Sequence, residues 1–168
     1  MGKPSPTENE LTFSEHELIV SKTDTKGRIT YGNKLFMELA KYNETELIGA
    51  PHNIVRHPDM PKTIFWYLWD RIGSGKEIFA YVKNLSGDGS YYWVLANVTP
   101  SFDSSGQVIG YYSVRRKPDQ KILKDKVVPL YGELLEAEKN GGLESGKKYM
   151  SELLNKRGVS YEEFIVSL

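Results

Sequence analysis

Two turn signals, Ser86-Gly87-Asp88-Gly89 and Asp103-Ser104-Ser105-Gly106, cut residues 77–117 into three runs rich in aromatic and β-branched side chains. Gly, Asp and Ser at such junctions favour tight reversals. Residues 77–83, 91–99 and 108–117 are therefore expected to be consecutive antiparallel strands. Two shorter strands are expected at 18–23 and 28–31, around the turn Asp24-Thr25-Lys26-Gly27. Helical signals lie between the two sets. Asn33 caps a segment running to Lys41 with Leu35, Phe36, Leu39 and Ala40 on one face, and Asn43 with Glu46 makes a capping pair before Leu47-Ile48-Gly49. Pro61 opens a longer helix that ends at Gly73 and Gly75, its apolar side carrying Phe65, Trp66, Leu68 and Trp69. The order β-β-α-α-α-β-β-β predicts an α+β domain: a five-stranded antiparallel sheet with helices on one face.

Alternation along these strands sorts their side chains. Ile78, Ala80, Val82 and Asn84 share one face with Val94, Ala96 and Val98. Small residues on a sheet face that meets helices leave volume for a flat ligand, unless aromatics of the long helix fill it. The opposite face is read as Phe79, Tyr81, Trp93, Leu95, Ile109 and Tyr111, too apolar to remain wet. The leader, a helical tail or a second subunit must cover it.

The expected divisions are a flexible leader at 1–12, one α+β domain at 13–117 and a helical tail at 118–168. The tail has apolar stripes at Leu130 and Leu134 and at Tyr149, Met150, Leu153 and Leu154. Pro129 should kink its first helix, Asn140-Gly141-Gly142 should stop it, and Ser160 with Glu163 should cap the last turn. Such stripes either pack on their own domain or bind a partner helix.

Lys+Arg and Asp+Glu both number 22, and no basic stripe suggests nucleic acid. No cysteine is present, which excludes disulfides, thiolate metal sites and cysteine nucleophiles. The first ten residues hold no signal-peptide run, and no stretch reaches the ~20 apolar residues of a membrane span. A cytoplasmic protein is expected.

The segment Pro51-His52-Asn53-Ile54-Val55-Arg56-His57-Pro58-Asp59-Met60-Pro61 concentrates two of the chain's 3 histidines. A metal site of His52, His57 and Asp59 lacks helical ligand spacing. An acid-base pair of His57 and Asp59 lacks a nucleophile or second carboxylate nearby in sequence. Arg56 and His57 could instead hold phosphates of a nucleotide-like ligand, with Asp59 fixing the segment. Loop and capping roles stand beside these.

Strand order and turns resemble a PAS domain, and the string from Pro51 to Lys62 is similar to the bacterial aerotaxis receptors, as are Val82-Lys83-Asn84, Tyr92-Trp93-Val94, Ala96-Asn97 and Gly110 to Arg115. The resemblance covers residues 18–118. It implies non-covalent FAD, no catalysed reaction, and redox or energy sensing for taxis. It assigns FAD retention to Arg56, His57 and Asp59, and the flavin edge to Asn84. His52 and Asn33 match positions near the adenine-side cleft. An amide with two donors and an acceptor suits the flavin's changing edge. The sequence departs from the family at Ile78, where Trp is usual, and at Leu85-Ser86-Gly87. Without the receptors' membrane spans and coiled coil, the chain resembles short, CetB-like energy-taxis proteins that signal by contact to a membrane chemotaxis transducer, as a homodimer. The rival readings are a cofactor-free PAS dimerisation module and, behind it, a heme sensor. The absence of cysteine rules out a light-driven cysteinyl adduct.

Overall fold

The computed structural model describes residues 2–168; Met1, at the start of the expected leader, lies outside them. Five strands form one antiparallel sheet: β1 (Ile19–Thr23), β2 (Ile29–Gly32), β3 (Ile78–Leu85), β4 (Tyr91–Phe102) and β5 (Val108–Arg116), in the order β2-β1-β5-β4-β3. The expected hairpins are present. β3 and β4 pair from Ile78↔Val98 to Leu85↔Tyr91, and β4 continues onto β5. Asp103 Oδ1 organises that second turn by accepting the N–H groups of Ser105 (2.8 Å) and Gln107 (3.0 Å). β1 then inserts between β2 and β5, so the start of the domain closes onto its last strand.

Helices α1 (Lys34–Ala40), α2 (Glu44–Leu47) and α3 (Lys62–Gly73), with a 3-10 turn at His52–Val55, connect β2 to β3. Their caps are local, as the sequence predicts. Asn33 accepts the N–H of Phe36 at 3.0 Å and that of Val20 at 3.1 Å, and donates to Leu18 O at 2.9 Å. One side chain thus caps α1 and ties it to β1. Asn43 and Glu46 form the capping box of α2.

The tail comprises α4 (Gln120–Ile122), a π-turn at Leu123–Val127, α5 (Val128–Arg157) and α6 (Tyr161–Val166). Pro129 has no N–H to donate to the preceding turn, and the chain answers with the π-turn just before it. The expected stop at Gly141 and Gly142 is a sharp break inside α5, with Gly142 at φ 71°, ψ −162°, a conformation essentially restricted to glycine. Ser160 and Glu163 form the capping box of α6. The apolar stripes pack on their own domain: Leu130, Leu134, Met150, Leu154, Tyr161 and Phe164 belong to the same buried core as Phe36, Ile64 and Val94.

The tail also closes the edge of the sheet. Among the strands β3 pairs only with β4, so every second backbone carbonyl of β3 points outward. Tyr161 donates its hydroxyl to Phe79 O (3.1 Å), Tyr131 donates to Tyr81 O, and the His57 N–H approaches Lys83 O at 3.4 Å. An open edge is thereby occupied. Tyr81 is buried and Tyr131 lies 5.9 Å from Trp93, so the tail takes the place on the outer face that a second copy could otherwise fill. The leader runs along the same end: Leu11 donates to Tyr91 O at 2.7 Å and Thr7 to Gly89 O at 2.8 Å.

Three face assignments need correction. Ile109 is not covered: it stands 57% exposed at the register shift between Ser101↔Gly110 and Phe102↔Val108. Tyr111 stands on the inner face, because the β4–β5 register pairs even residues with odd ones, Ala96 with Arg115 and Val98 with Ser113; a one-residue shift in pairing flips every side chain. Trp66 does not share the face of Phe65, Leu68 and Trp69. It turns to the tail, with Lys147 Nζ 4.4 Å from its ring centroid, beside Tyr67 stacked on Tyr161 at 4.9 Å. α3 is apolar on two sides because it meets two layers.

Candidate functional site

A cavity of about 220 Å³ lies between α3 and the inner face of the sheet. Val82, Ala96, Val98 and Ser113 form its floor, and Phe65, Leu68, Trp69 and Ile72 its roof. Ala96 supplies the depth, as expected of a small side chain under a helix. His52, Val55 and Arg56 make one wall. Lys26 and Trp69 are exposed and mark the open end. There Trp69 meets Tyr111 edge-on at 5.8 Å. It also lies against Gly27, where a Cβ would come 3.0 Å from the indole; at φ 77° that turn position suits glycine in any case.

The polar groups at this cavity are under-satisfied from within the protein. Asn84 is 3% exposed, and its Nδ2 makes no hydrogen bond of ordinary geometry; the buried Tyr92 hydroxyl, across the strand pair and likewise unpartnered, is the polar group beside it. Arg115 is 2% exposed; Nη2 donates to Ser21 Oγ, while Nε and Nη1 have no partner. Its guanidinium lies 4.6 Å over the Phe36 ring. Arg56 is half-buried, stacks 3.6 Å over Phe65 and leaves Nε unpartnered. Leaving a buried donor unmade costs about 1–3 kcal/mol, so these groups fit a ligand that brings acceptors.

Titration states follow from burial. His52 is pushed down to about 3, first by burial and then by the Arg115 charge, and is neutral near pH 7. Its Nε2 lies 3.1 Å from Ser21 Oγ and its ring stacks on Phe36 at 5.8 Å. Burial lowers Arg115 to about 10, still charged at neutral pH, and raises Tyr92 to about 12. Among the described residues no Asp or Glu lines the cavity, whereas Lys26, Arg56 and Arg115 do. The site is an apolar slot with a cation at its open end (Lys26), in its wall (Arg56) and on its floor (Arg115).

The residues singled out in the sequence separate into two groups. Arg56, His52 and Asn84 line the cavity. Arg56 and Asn84 are brought together by an isolated antiparallel bridge between their backbones. Asn33, His57 and Asp59 do not line it. Asn33 is spent on capping α1. His57 is buried, and its Nδ1 accepts the Asp59 N–H at 3.1 Å. Burial, then the Lys83 charge, lowers its pKa, in keeping with that acceptor role. Asp59 pairs with Lys83 at 3.1 Å. Both fasten the Pro51-to-Pro61 segment to β3. Sequence reasoning missed Ser21, Trp69, Tyr111 and Arg115 as lining residues. Period-2 alternation from Ser113 would have found Arg115 once the register was known.

A five-stranded antiparallel sheet cupping a cavity under α3 defines a PAS domain, and the chain belongs to the PAS fold family, whose profile matches residues 29–115. Its sequence is similar to the aerotaxis receptor of Escherichia coli (strain K12), 38% identical over 129 residues, covering 76% of this chain and 25% of the receptor. The bacterioopsin transcriptional activator of Halobacterium salinarum is 27% identical over 93 residues, 55% of this chain and 14% of that protein. The chain thus spans a quarter or less of the length of these two relatives. Among solved structures, the light-state LOV domain of the blue-light photoreceptor Aureochrome1 superposes with a TM-score of 0.60 at 22% identity, covering 66% of this chain and 89% of that one. A light-oxygen-voltage domain studied with a flavin analogue gives 0.59 at 20% identity, over 69% and 87%. These two likenesses establish the fold.

Proposed function

We propose that the chain is a redox or energy sensor for taxis that holds FAD in the cavity under α3 and signals by contact rather than by catalysis. The observation that carries this reading is Asn84: a buried amide, with no hydrogen bond of ordinary geometry at Nδ2, facing an apolar slot. Similarity to the aerotaxis receptor supports the choice of ligand, and the donor set supports its chemistry. When bound, the flavin supplies a redox-active ring whose donor and acceptor pattern changes with its electron count. Asn84 bonds the ring edge, Val82, Ala96 and Val98 face the ring from one side, and Phe65 and Leu68 from the other. Arg56, in the wall, and Lys26, at the open end, are the cations that would meet the phosphates. His57 and Asp59 serve retention by holding Arg56 in place, His52 keeps the wall neutral, and Asn33 positions α1 behind it.

Residues 13–117 form the sensing unit and 118–168 the output tail, directed at a chemotaxis transducer. The cavity, at about 220 Å³, is below the ~300–1,000 Å³ of sites that enclose a drug-sized ligand. It accommodates the ring and leaves the dinucleotide tail to the rim. The same number favours the rival reading, a PAS interaction module without cofactor.

The two part on Arg56→Ala. A lost charge-assisted bond of about 1.5–3 kcal/mol weakens FAD roughly tenfold to hundredfold, read as flavin per folded protein across a dilution series. Equal retention by variant and wild type overturns the assignment.

A further inference from the structure

Arg115 is a buried cation without a counter-charge. It lies on the sheet floor, 2% exposed, with Nε and Nη1 unpartnered and the cavity in front of it. The groups around it come from four elements: Ser21 on β1, Phe36 on α1, His52 in the 3-10 turn and Tyr92 on β4. Arg56 adds a second positive charge to the same wall. Ser21 is uncharged, His52 and Tyr92 are neutral at pH 7, and no carboxylate lines the cavity among the described residues. Buried charges are retained where something pairs with them. On the flavin reading, the phosphate-bearing part would reach solvent at the exposed end by Lys26 and Trp69, which leaves the ring as the group in front of Arg115.

We propose that Arg115 fixes the charge state of the bound ring system, holding it as an anion once it is reduced. This rests on the flavin reading above. In the titration, dithionite, oxidised to sulfite, would supply two electrons and water one proton, and the oxidised, neutral ring would become a monoanion. The second proton, which the reduced ring carries when free at mildly acidic pH, stays in solvent. Arg115 keeps its own proton throughout. A fixed positive charge beside the ring is one of the ways a protein tunes a flavin.

The test is an anaerobic redox titration of the holoprotein at several mildly acidic pH values, for wild type, Arg115→Lys and Arg115→Gln. The wild type and Arg115→Lys are expected to take up one proton per two electrons. Arg115→Gln takes up two, and its affinity for the reduced ligand falls at least tenfold relative to the oxidised one, a potential lower by about 30 mV. Two protons per two electrons in the wild type overturns the proposal, whatever the variants' folding. Equal weakening of both redox forms by Arg115→Gln also overturns it, and assigns Arg115 to a phosphate instead. Wild-type protein that binds no flavin overturns the reading beneath it.

Discussion

Glu138 on α5 caps α3 from 75 residues away: its Oε1 accepts both the N–H and the hydroxyl of Thr63, each at 2.8 Å. Its Oε2 accepts the Lys62 N–H at 3.0 Å. Pro61, at the cap position, has no side chain for this task, so the tail supplies it. A lost cap typically costs about 1 kcal/mol, and Thr63 is fully buried, which adds to that. Glu138→Ala is expected to destabilise the fold by about 1–2 kcal/mol in urea denaturation, and Glu138→Gln by less. A change within about 0.5 kcal/mol, the usual range at an ordinary surface site, would show that α3 does not need the tail.

The same junction reverses the ordinary rule for glycine in a helix. Ala in place of an exposed helical Gly usually stabilises by up to about 1 kcal/mol. Gly132→Ala, with nothing within 4 Å of its added Cβ, should do so. At Gly146 a Cβ would meet Thr63 Oγ1 at 2.1 Å and Glu138 Cγ at 2.9 Å. Gly146→Ala should therefore destabilise, by about 1–3 kcal/mol. Paired melting curves check the opposite signs; the same sign at both positions would contradict the docking of α5 on α3.

Tyr131 and Tyr161 are the edge caps of β3. Burial raises both phenols far above the usual tyrosine range, so each stays a hydroxyl donor through neutral and moderately alkaline pH. Tyr131→Phe and Tyr161→Phe each leave a β3 carbonyl short of a donor, at about 1–3 kcal/mol. Hydrogen exchange should quicken along residues 77–85 and 128–166 together. Faster exchange in the tail alone would mean that the two are not coupled.

His52 predicts an acid limb of the stability curve. Its folded pKa, about 3, lies below the ordinary 6.5, so the unfolded chain binds more protons between those values. Stability contributed by the neutral ring is complete above about pH 6.5 and falls as pH drops toward 3, by up to about 1.4 kcal/mol per pH unit. His52→Gln should flatten that limb in urea titrations between pH 4 and 6.5. His57 is shifted the same way and leaves a residual slope. An unchanged slope in the variant would mean that His52 is protonated in the folded protein.

Local chemistry was readable in the sequence, and pairing was not. Asn33, Asn43 and Ser160 announce their caps because an N-cap acts over three residues, and Asp103 announces its turn for the same reason. The cavity floor at Val82 and Ala96 follows from alternation within single strands. Arg115 and Tyr111 escaped because their face depends on the β4–β5 register, which the loop sets. Glu138 escaped because its partner Thr63 is distant in sequence. In the Pro51-to-Pro61 segment, composition marked the right stretch, yet only the fold separates Arg56 and His52 at the cavity from His57 and Asp59 behind it.

The reading proposed above puts a flavin in the cavity under α3, where it changes redox state. An absorption spectrum of the purified full chain, taken through one cycle of anaerobic reduction and reoxidation, tests it most directly. Flavin bands should bleach and return, with FAD as the chromophore released on denaturation, and those bands should be largely lost in Arg56→Ala. A folded protein with a featureless visible spectrum, even after incubation with excess FAD, would contradict it.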